Sequence, residues 1–255
     1  MNTEHMIPWL DSTLGQYILN QEQLILDEAV ANIFGFHALQ LCLPGLDALR
    51  ANRIPNRIRI GTSKQCQLQA DPLFLPIASQ SVDLVVLPHQ LEFSQYPHAL
   101  LREIDRIVVP EGRIIITGFN PLSLWGVRQF FSWHPKTFPW SGDFISLNRI
   151  KDWLSLLGFE LNAGRFFAYA PPFRSEQLRQ RFRFMELAGD RWWGVGGGVY
   201  FLEAIKRVQG VRLITPRWQS SVKEKVLVPA VQSASSHQEM SSKVIPLFPK
   251  QKIHN

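Results

Sequence analysis

Short apolar runs and amphipathic stretches alternate along the chain, and the spacing of apolar positions separates the two. ALQLCL (38–43), RIRIG (57–61), VDLVVLP (82–88) and RIIITGF (113–119) have the length of strands. The second alternates apolar with polar residues. The third and fourth are nearly continuous and rich in Val and Ile, as strands buried on both faces are. In the stretch Gln21–Phe34 the residues Leu24, Leu26, Ala29, Val30, Ala31 and Ile33 fall near helical spacing, which predicts an amphipathic helix. A second helix is predicted from Pro97, a residue suited to a first helical position. Its stripe is Leu100, Leu101, Ile104, Ile107 and Val108, and Pro110 and Gly112 should stop it. Strand, helix and strand in this order make a βαβ unit with parallel strands and a right-handed connection.

Beyond Phe119 the pattern breaks. Residues 120–144 hold three Trp, four Phe, three Pro and two Gly, so they cannot form one long helix. SLNRIKDWLSLLGFE then reads as a helix, with Ser146 before it, a stripe of Ile150, Trp153, Leu154 and Leu157, and Gly158 as its stop. FELNAGRFFAYAPP and GGGVYFLEAIKRV read as two closing strands, with an arginine-rich helix and loop at 174–191 between them. Residues 1–20 show little periodicity and are expected to be an irregular lead-in. The folded domain is expected at 21–212. Residues 213–255, rich in Ser, Gln, Lys and Val without a period, are expected to be a basic, disordered tail.

Composition sharpens this picture in three places. With 255 residues, 45% of them apolar and 19% charged, the chain can bury a substantial core. Two cysteines, Cys42 and Cys66, make no disulfide framework. The N-terminus lacks a basic region followed by an apolar one, and no apolar run is long enough to span a bilayer. A cytoplasmic protein without membrane insertion is therefore expected. The net charge of +6 is concentrated at one end. From Arg212 onward stand seven Lys/Arg against two Asp/Glu, leaving 20 against 19 in the first 211 residues. Basicity of this kind does not make the folded part a nucleic-acid binder.

Residues 70–119 carry the most specific signal. Asp71, Leu75-Pro76, Ser81-Val82-Asp83 and the turn Arg106 to Gly112 (RIVVPEG) follow one another in this order. In that order and spacing they resemble the middle of a class I S-adenosylmethionine-dependent methyltransferase of type 11. The resemblance extends more loosely over residues 37–208. It implies an α/β, Rossmann-like, doubly wound fold: a mostly parallel seven-stranded sheet with helices on both faces. It also implies S-adenosylmethionine as cofactor, held at the carboxyl ends of the first strands. The implied cofactor-binding residues are Leu41, Cys42, Leu43, Pro44 and Gly45 after the first strand, Gly61 after the second, Asp71 and Pro72, and Pro88 and His89 after the fourth.

The residues qualify that implication. Asp71 matches the carboxylate that accepts a hydrogen bond from the adenine amino group, and it also reads as a turn residue before Pro72. Asp83 reads as a fold residue. His89 is the candidate general base, with a hydrogen-bonding wall residue as the alternative. Glu92-Phe93 stand where the family often has Glu-His. The glycines of the family's first loop fall at Cys42, Pro44 and Leu46, its acidic residue falls at Gln40, and Gly61 stands where an acid holds the ribose. Gly194–Gly198 enters a strand and not a helix, so it reads as a turn, not a phosphate loop. No histidine or cysteine spacing suggests a metal site. The aromatic residues of 119–144 either line a pocket or pack as core.

A methyltransferase of a small-molecule acceptor is the leading expectation. A scaffold or regulator that keeps the fold without catalysis is the first alternative, and an RNA methyltransferase or RNA-binding protein the second. Oligomeric state is not set by the sequence.

Overall fold

The N-terminal segment is helical where its sequence predicts an irregular lead-in. A computed structural model of the protein describes residues 6–131, 138–173, 176–182, 184–186, 189 and 194–208. In it, α1 (Ile7–Leu10) and α2 (Thr13–Val30) precede the first strand, so the domain begins well before residue 21. The residues that obscure the helical period serve the helices. Pro8 sits in the first turn of α1, where its missing N–H costs nothing. Ser12 caps α2, its Oγ accepting from the Gly15 N–H at 3.2 Å. At Gly15 a Cβ would stand 2.2 Å from the Trp9 carbonyl oxygen, so only glycine lets α2 fold back so closely on α1.

Seven strands form one sheet: β1 (His37–Leu41), β2 (Asn56–Gly61), β3 (Leu68–Gln69), β4 (Val82–Pro88), β5 (Val108–Phe119), β6 (Phe159–Phe167) and β7 (Val199–Lys206). Their order is β3-β2-β1-β4-β5-β7-β6. The first five run parallel, and β7 runs antiparallel to β5 and β6. The predicted βαβ unit is β4–α3–β5, with α3 at Pro97–Ile107; Pro110 to Gly112, expected as a bare stop, already lie in β5. The sheet reverses direction of growth between β1 and β4, the switch point where open α/β sheets bind ligands.

Alternate residues of the central strands divide the core. Leu84 and Val86 of β4 face α1 and α2, together with Ile115, Phe119 and Phe201. Val85 and Leu87 face α3 and α5 (Leu147–Leu156), together with Leu39, Leu41, Ile60, Ile114 and Ile116. Helices thus cover both faces. Of the aromatic residues of 119–144, Phe119, Trp125, Phe138 and Trp140 are buried in the first core, whereas Phe130 and Phe131, around the end of α4 (Leu124–Phe130), are exposed. Asp83 is a fold residue: its Oδ2 accepts from the backbone N–H groups of Phe36 and His37 at 2.7 and 2.9 Å. Trp133, Arg174, Arg179, Arg183 and the tail from 213 lie outside the residues whose side chains are described.

Candidate functional site

The loop after β1 is a tight turn held from inside. The Leu46 N–H donates to the Leu43 carbonyl at 3.2 Å, with Pro44 and Gly45 between them and φ +79° at Gly45. Proline second and a left-handed glycine third is the signature of a type II turn. Gly45 therefore serves the turn. Residues 42–55 contain no helix, so no helix N-terminus follows the first strand. Leu43, Leu46, Ala48, Leu49 and Ile54 instead pack into the core that α2 covers. Gln40 holds this loop. Its amide donates to the Leu46 carbonyl and accepts from the Ala48 N–H, both at 2.9 Å. An ionised acid at this position could accept but not donate, which accounts for the amide.

At the end of β2 the place of a ribose-binding acid is filled. A Cβ on Gly61 would stand 2.9 Å from the Cys42 Cβ and 3.0 Å from the Cys66 Sγ. Any side chain there requires the two cysteines to give way. Burial and the adjoining Cys66 thiol push the Cys42 thiol up to about 12, so it is neutral at physiological pH.

A cleft of ≈ 280 Å³ opens beyond β3, lined by Asp71, Pro72, Leu73, Gln90, Phe93 and Tyr96 among others. Asp71 Oδ1 accepts from the Leu73 N–H at 3.0 Å, which makes the residue a turn former. Its other carboxylate oxygen has no hydrogen bond among the described residues. Both sequence readings of Asp71 are therefore compatible with one side chain. Gln90 is buried; its amide donates to the carbonyls of Cys42 (3.2 Å) and Pro88 (3.3 Å), joining the ends of β1 and β4. The opposite wall is braced by α3. Glu103 accepts from the Leu75 N–H at 2.8 Å, and Arg106 donates to the carbonyls of Leu75 and Ile77. The Arg106 guanidinium holds the Glu103 carboxyl below its usual range.

On the other side of residues 88–93 lies a buried charged cluster. His89, at φ +52°, follows β4 and is 1% exposed. Its Nδ1 is 3.0 Å from Glu92 Oε2 and its Nε2 is 3.5 Å from Glu22 Oε2 on α2. The second oxygen of Glu22 accepts from the Thr117 hydroxyl, and that of Glu92 from the Phe119 N–H. Tyr200 of β7 brings a buried hydroxyl that makes no hydrogen bond among the described residues. A Cβ on Gly118 would stand 2.2 Å from that hydroxyl oxygen and 2.7 Å from Glu92 Oε1, so the glycine makes room for both.

Burial alone would lower the His89 pKa, but the carboxylates of Glu22 and Glu92 raise it to about 10. Burial outweighs the histidine's attraction at Glu92 and pushes that carboxyl up. His89 is then an imidazolium at neutral pH. A proton held between two carboxylates favours the wall-residue reading of His89 over the general base. Glu22 and Tyr200 were missed in the sequence because nothing local marks either one.

The structure thus brings together, beside the β1–β4 switch point, Cys42, Asp71, Pro88, His89 and Gln90. It places Leu41 in the core beneath them and leaves Gly45 at a solvent-exposed turn. Residues 37–116 match the model of a methyltransferase domain family. The chain belongs to the class I S-adenosylmethionine-dependent methyltransferases of type 11. This methyltransferase domain is 37% identical over 161 residues to the uncharacterized protein YafS of Escherichia coli (strain K12), a match covering 62% of this chain and 67% of that protein. Its fold is that of a chain from the complex of the Haloferax volcanii Trm112 methyltransferase activator with a methyltransferase (TM-score 0.59, 15% identity, 82% of this chain and 99% of that one). It is equally that of an S-adenosylmethionine-dependent methyltransferase from Archaeoglobus fulgidus (TM-score 0.52, 17% identity, 72% of this chain and 92% of that one). Among the described residues no helix is long and apolar enough to cross a membrane, and no three His, Cys, Asp or Glu are placed to hold a metal ion.

Proposed function

We propose that the protein transfers a methyl group from S-adenosylmethionine to a small-molecule acceptor, with the adenine of the cofactor in the Asp71 cleft. The observation that carries this reading is the unpaired carboxylate oxygen of Asp71 in a cleft at the carboxyl edge of the sheet. Leu73, Phe93 and Tyr96 supply apolar and aromatic walls for a purine, and the carboxylate supplies an acceptor for its exocyclic amine. The residues therefore fit the nucleoside end. The methionine end has no glycine loop and no helix N-terminus to rest on, so the backbone of 42–44 and the Gln90 side-chain carbonyl are its nearest supports.

When bound, the cofactor supplies a methyl group already made electrophilic by its sulfonium. The chain's own task is then to orient the acceptor, which lowers the barrier without an obligatory base. Glu22, His89 and Glu92 suit a positioning role. As a buried ion cluster they fix α2 against the ends of β4 and β5, and with the surrounding aromatic core they keep water from that side of the site.

Calorimetric titration of S-adenosylmethionine into the full chain tests the reading. Saturable binding is expected, and Asp71→Ala should weaken it by about 1–3 kcal/mol, the range of a hydrogen bond to a charged group. Absence of binding at about millimolar cofactor, an affinity near 4 kcal/mol, would instead support a second reading, a scaffold or regulator without catalysis. The observation favouring that one is the occupation of the ribose position by Cys42 and Cys66.

A further inference from the structure

β2 carries a second concave feature that the methyltransferase reading does not use. Arg57 and Arg59 are two residues apart and project from the same side of the strand. The β1–β2 loop lays Asp47, Leu49, Arg50 and Pro55 against them and Gln67 closes the groove, which encloses ≈ 390 Å³. β3 pairs only with Ile60 and Gly61, so this part of the β2 edge stays open.

The three guanidiniums differ in what satisfies them. Arg50 is spent on Asp27, whose carboxyl it holds below the usual range. Arg57 is pinned: its Nη1 donates to the carbonyls of Leu49 and Asn52, both at 3.1 Å. Its Nε and Nη2 donors make no hydrogen bond among the described residues. The Arg59 side chain makes neither a hydrogen bond nor an ion pair among them, while its backbone N–H is held by Gln67 Oε1 at 2.9 Å. The one acid lining the groove, Asp47, accepts from the Leu49 N–H at 3.3 Å. Two uncompensated guanidiniums on one strand face therefore meet a single carboxylate. Like charges so placed repel each other, and the fold maintains them with one already immobilised by backbone carbonyls. A pinned, planar donor set loses little entropy when it binds an oxyanion.

We propose that this groove binds a phosphate group, through Arg57 and Arg59. A phosphate offers several acceptor oxygens and more than one negative charge, which suits two guanidiniums approaching from one side. The same chemistry is presented by a small phosphorylated ligand and by the backbone of an RNA. The inference is independent of cofactor binding and survives if the Asp71 cleft proves empty of function.

Two probes separate the sources: inorganic pyrophosphate, titrated calorimetrically into the full chain, and a fluorescent mixed-sequence single-stranded RNA followed by anisotropy across a salt series. Arg59→Gln touches no loop contact and should weaken the probe that binds by about tenfold, the loss of one charge-assisted contact. Arg57→Gln/Arg59→Gln should weaken it further, while Arg102→Gln, on exposed α3 surface, should leave it unchanged. Thermal melts of each variant check that the fold is retained. Tight pyrophosphate binding assigns the groove to a small phosphorylated ligand. RNA binding with a steep salt slope that flattens in Arg59→Gln assigns it to a nucleic-acid backbone. If neither probe binds, or if Arg102→Gln weakens binding as much as Arg59→Gln, the inference fails.

Discussion

His89 is a cation enclosed by two carboxylates, and this decides how the fold should respond to alkali. Its folded pKa, about 10, lies above the ordinary 6.5. The folded chain therefore keeps a proton that the unfolded chain loses between those values. The stabilising contribution is complete below about pH 6.5 and is lost as pH rises through about 10, at up to about 1.4 kcal/mol per pH unit. Glu22 and Glu92 are the titratable groups that face the ring, and Tyr200 lies beside Glu92. Burial pushes Glu92 and Tyr200 upward, so the tyrosine stays neutral across this window. Urea midpoints should fall from pH 7 to pH 9 in the parent protein and stay nearly level in His89→Gln. Equal slopes in the two would show that the histidine is not charged. None of this was legible in the sequence. His89 stood out as a strand-end histidine, but Glu22 comes from a helix distant along the chain, and no short-range pattern records that contact.

Elements were legible where the period of apolar positions matched the structure without interruption. The stretch 97–119 reads as helix and strand because Pro97 starts the helix and Leu100, Leu101, Ile104 and Ile107 of the stripe are its buried face, while Val108, read into the same stripe, opens β5. β3 was invisible because two exposed residues carry no pattern. α1 and the start of α2 were hidden by Pro8, Ser12 and Gly15, residues that elsewhere break helices and here begin, cap and tighten them. The β1–β2 loop shows the reverse error: its glycine invites comparison with a cofactor loop, yet its φ of +79° belongs to a turn. Substitution separates the two roles. Gly45→Ala forces a Cβ into the left-handed region and should cost about 1–2 kcal/mol by urea unfolding. Gly45→Asn should recover much of that, because asparagine tolerates this conformation. Both variants should bind S-adenosylmethionine as the parent does. A large loss of affinity in the well-folded Asn variant would return Gly45 to the cofactor site.

For the molecule as a whole, the position of the N-terminal boundary has the largest consequence. A chain beginning at Gln21, where periodicity alone places the first helix, loses Met6, Leu10, Leu14, Ile18 and Leu19. Each of these is at most 5% exposed in the core that α1 and α2 form with Leu84, Val86, Ile115 and Phe119. At about 1.5–3 kcal/mol for each buried apolar side chain, the loss is on the order of 10 kcal/mol. That is comparable to the entire stability of an ordinary domain. The truncated chain would also bare one face of the central strands and the ring of Phe138, which packs 5.1 Å from Trp9. It should therefore lack a cooperative thermal transition and bind a hydrophobic dye, whereas the full chain melts sharply. A cooperative melt at the parent's midpoint would mean that the helices are an appendage. In that case the Glu22–His89 pair, which the truncated chain retains, would help to hold the helix in place without its N-terminal half. The charge cluster and the N-terminal packing thus act on one helix: the apolar face of α2 sets its position, and the buried ions register it against the carboxyl ends of β4 and β5, beside the proposed site.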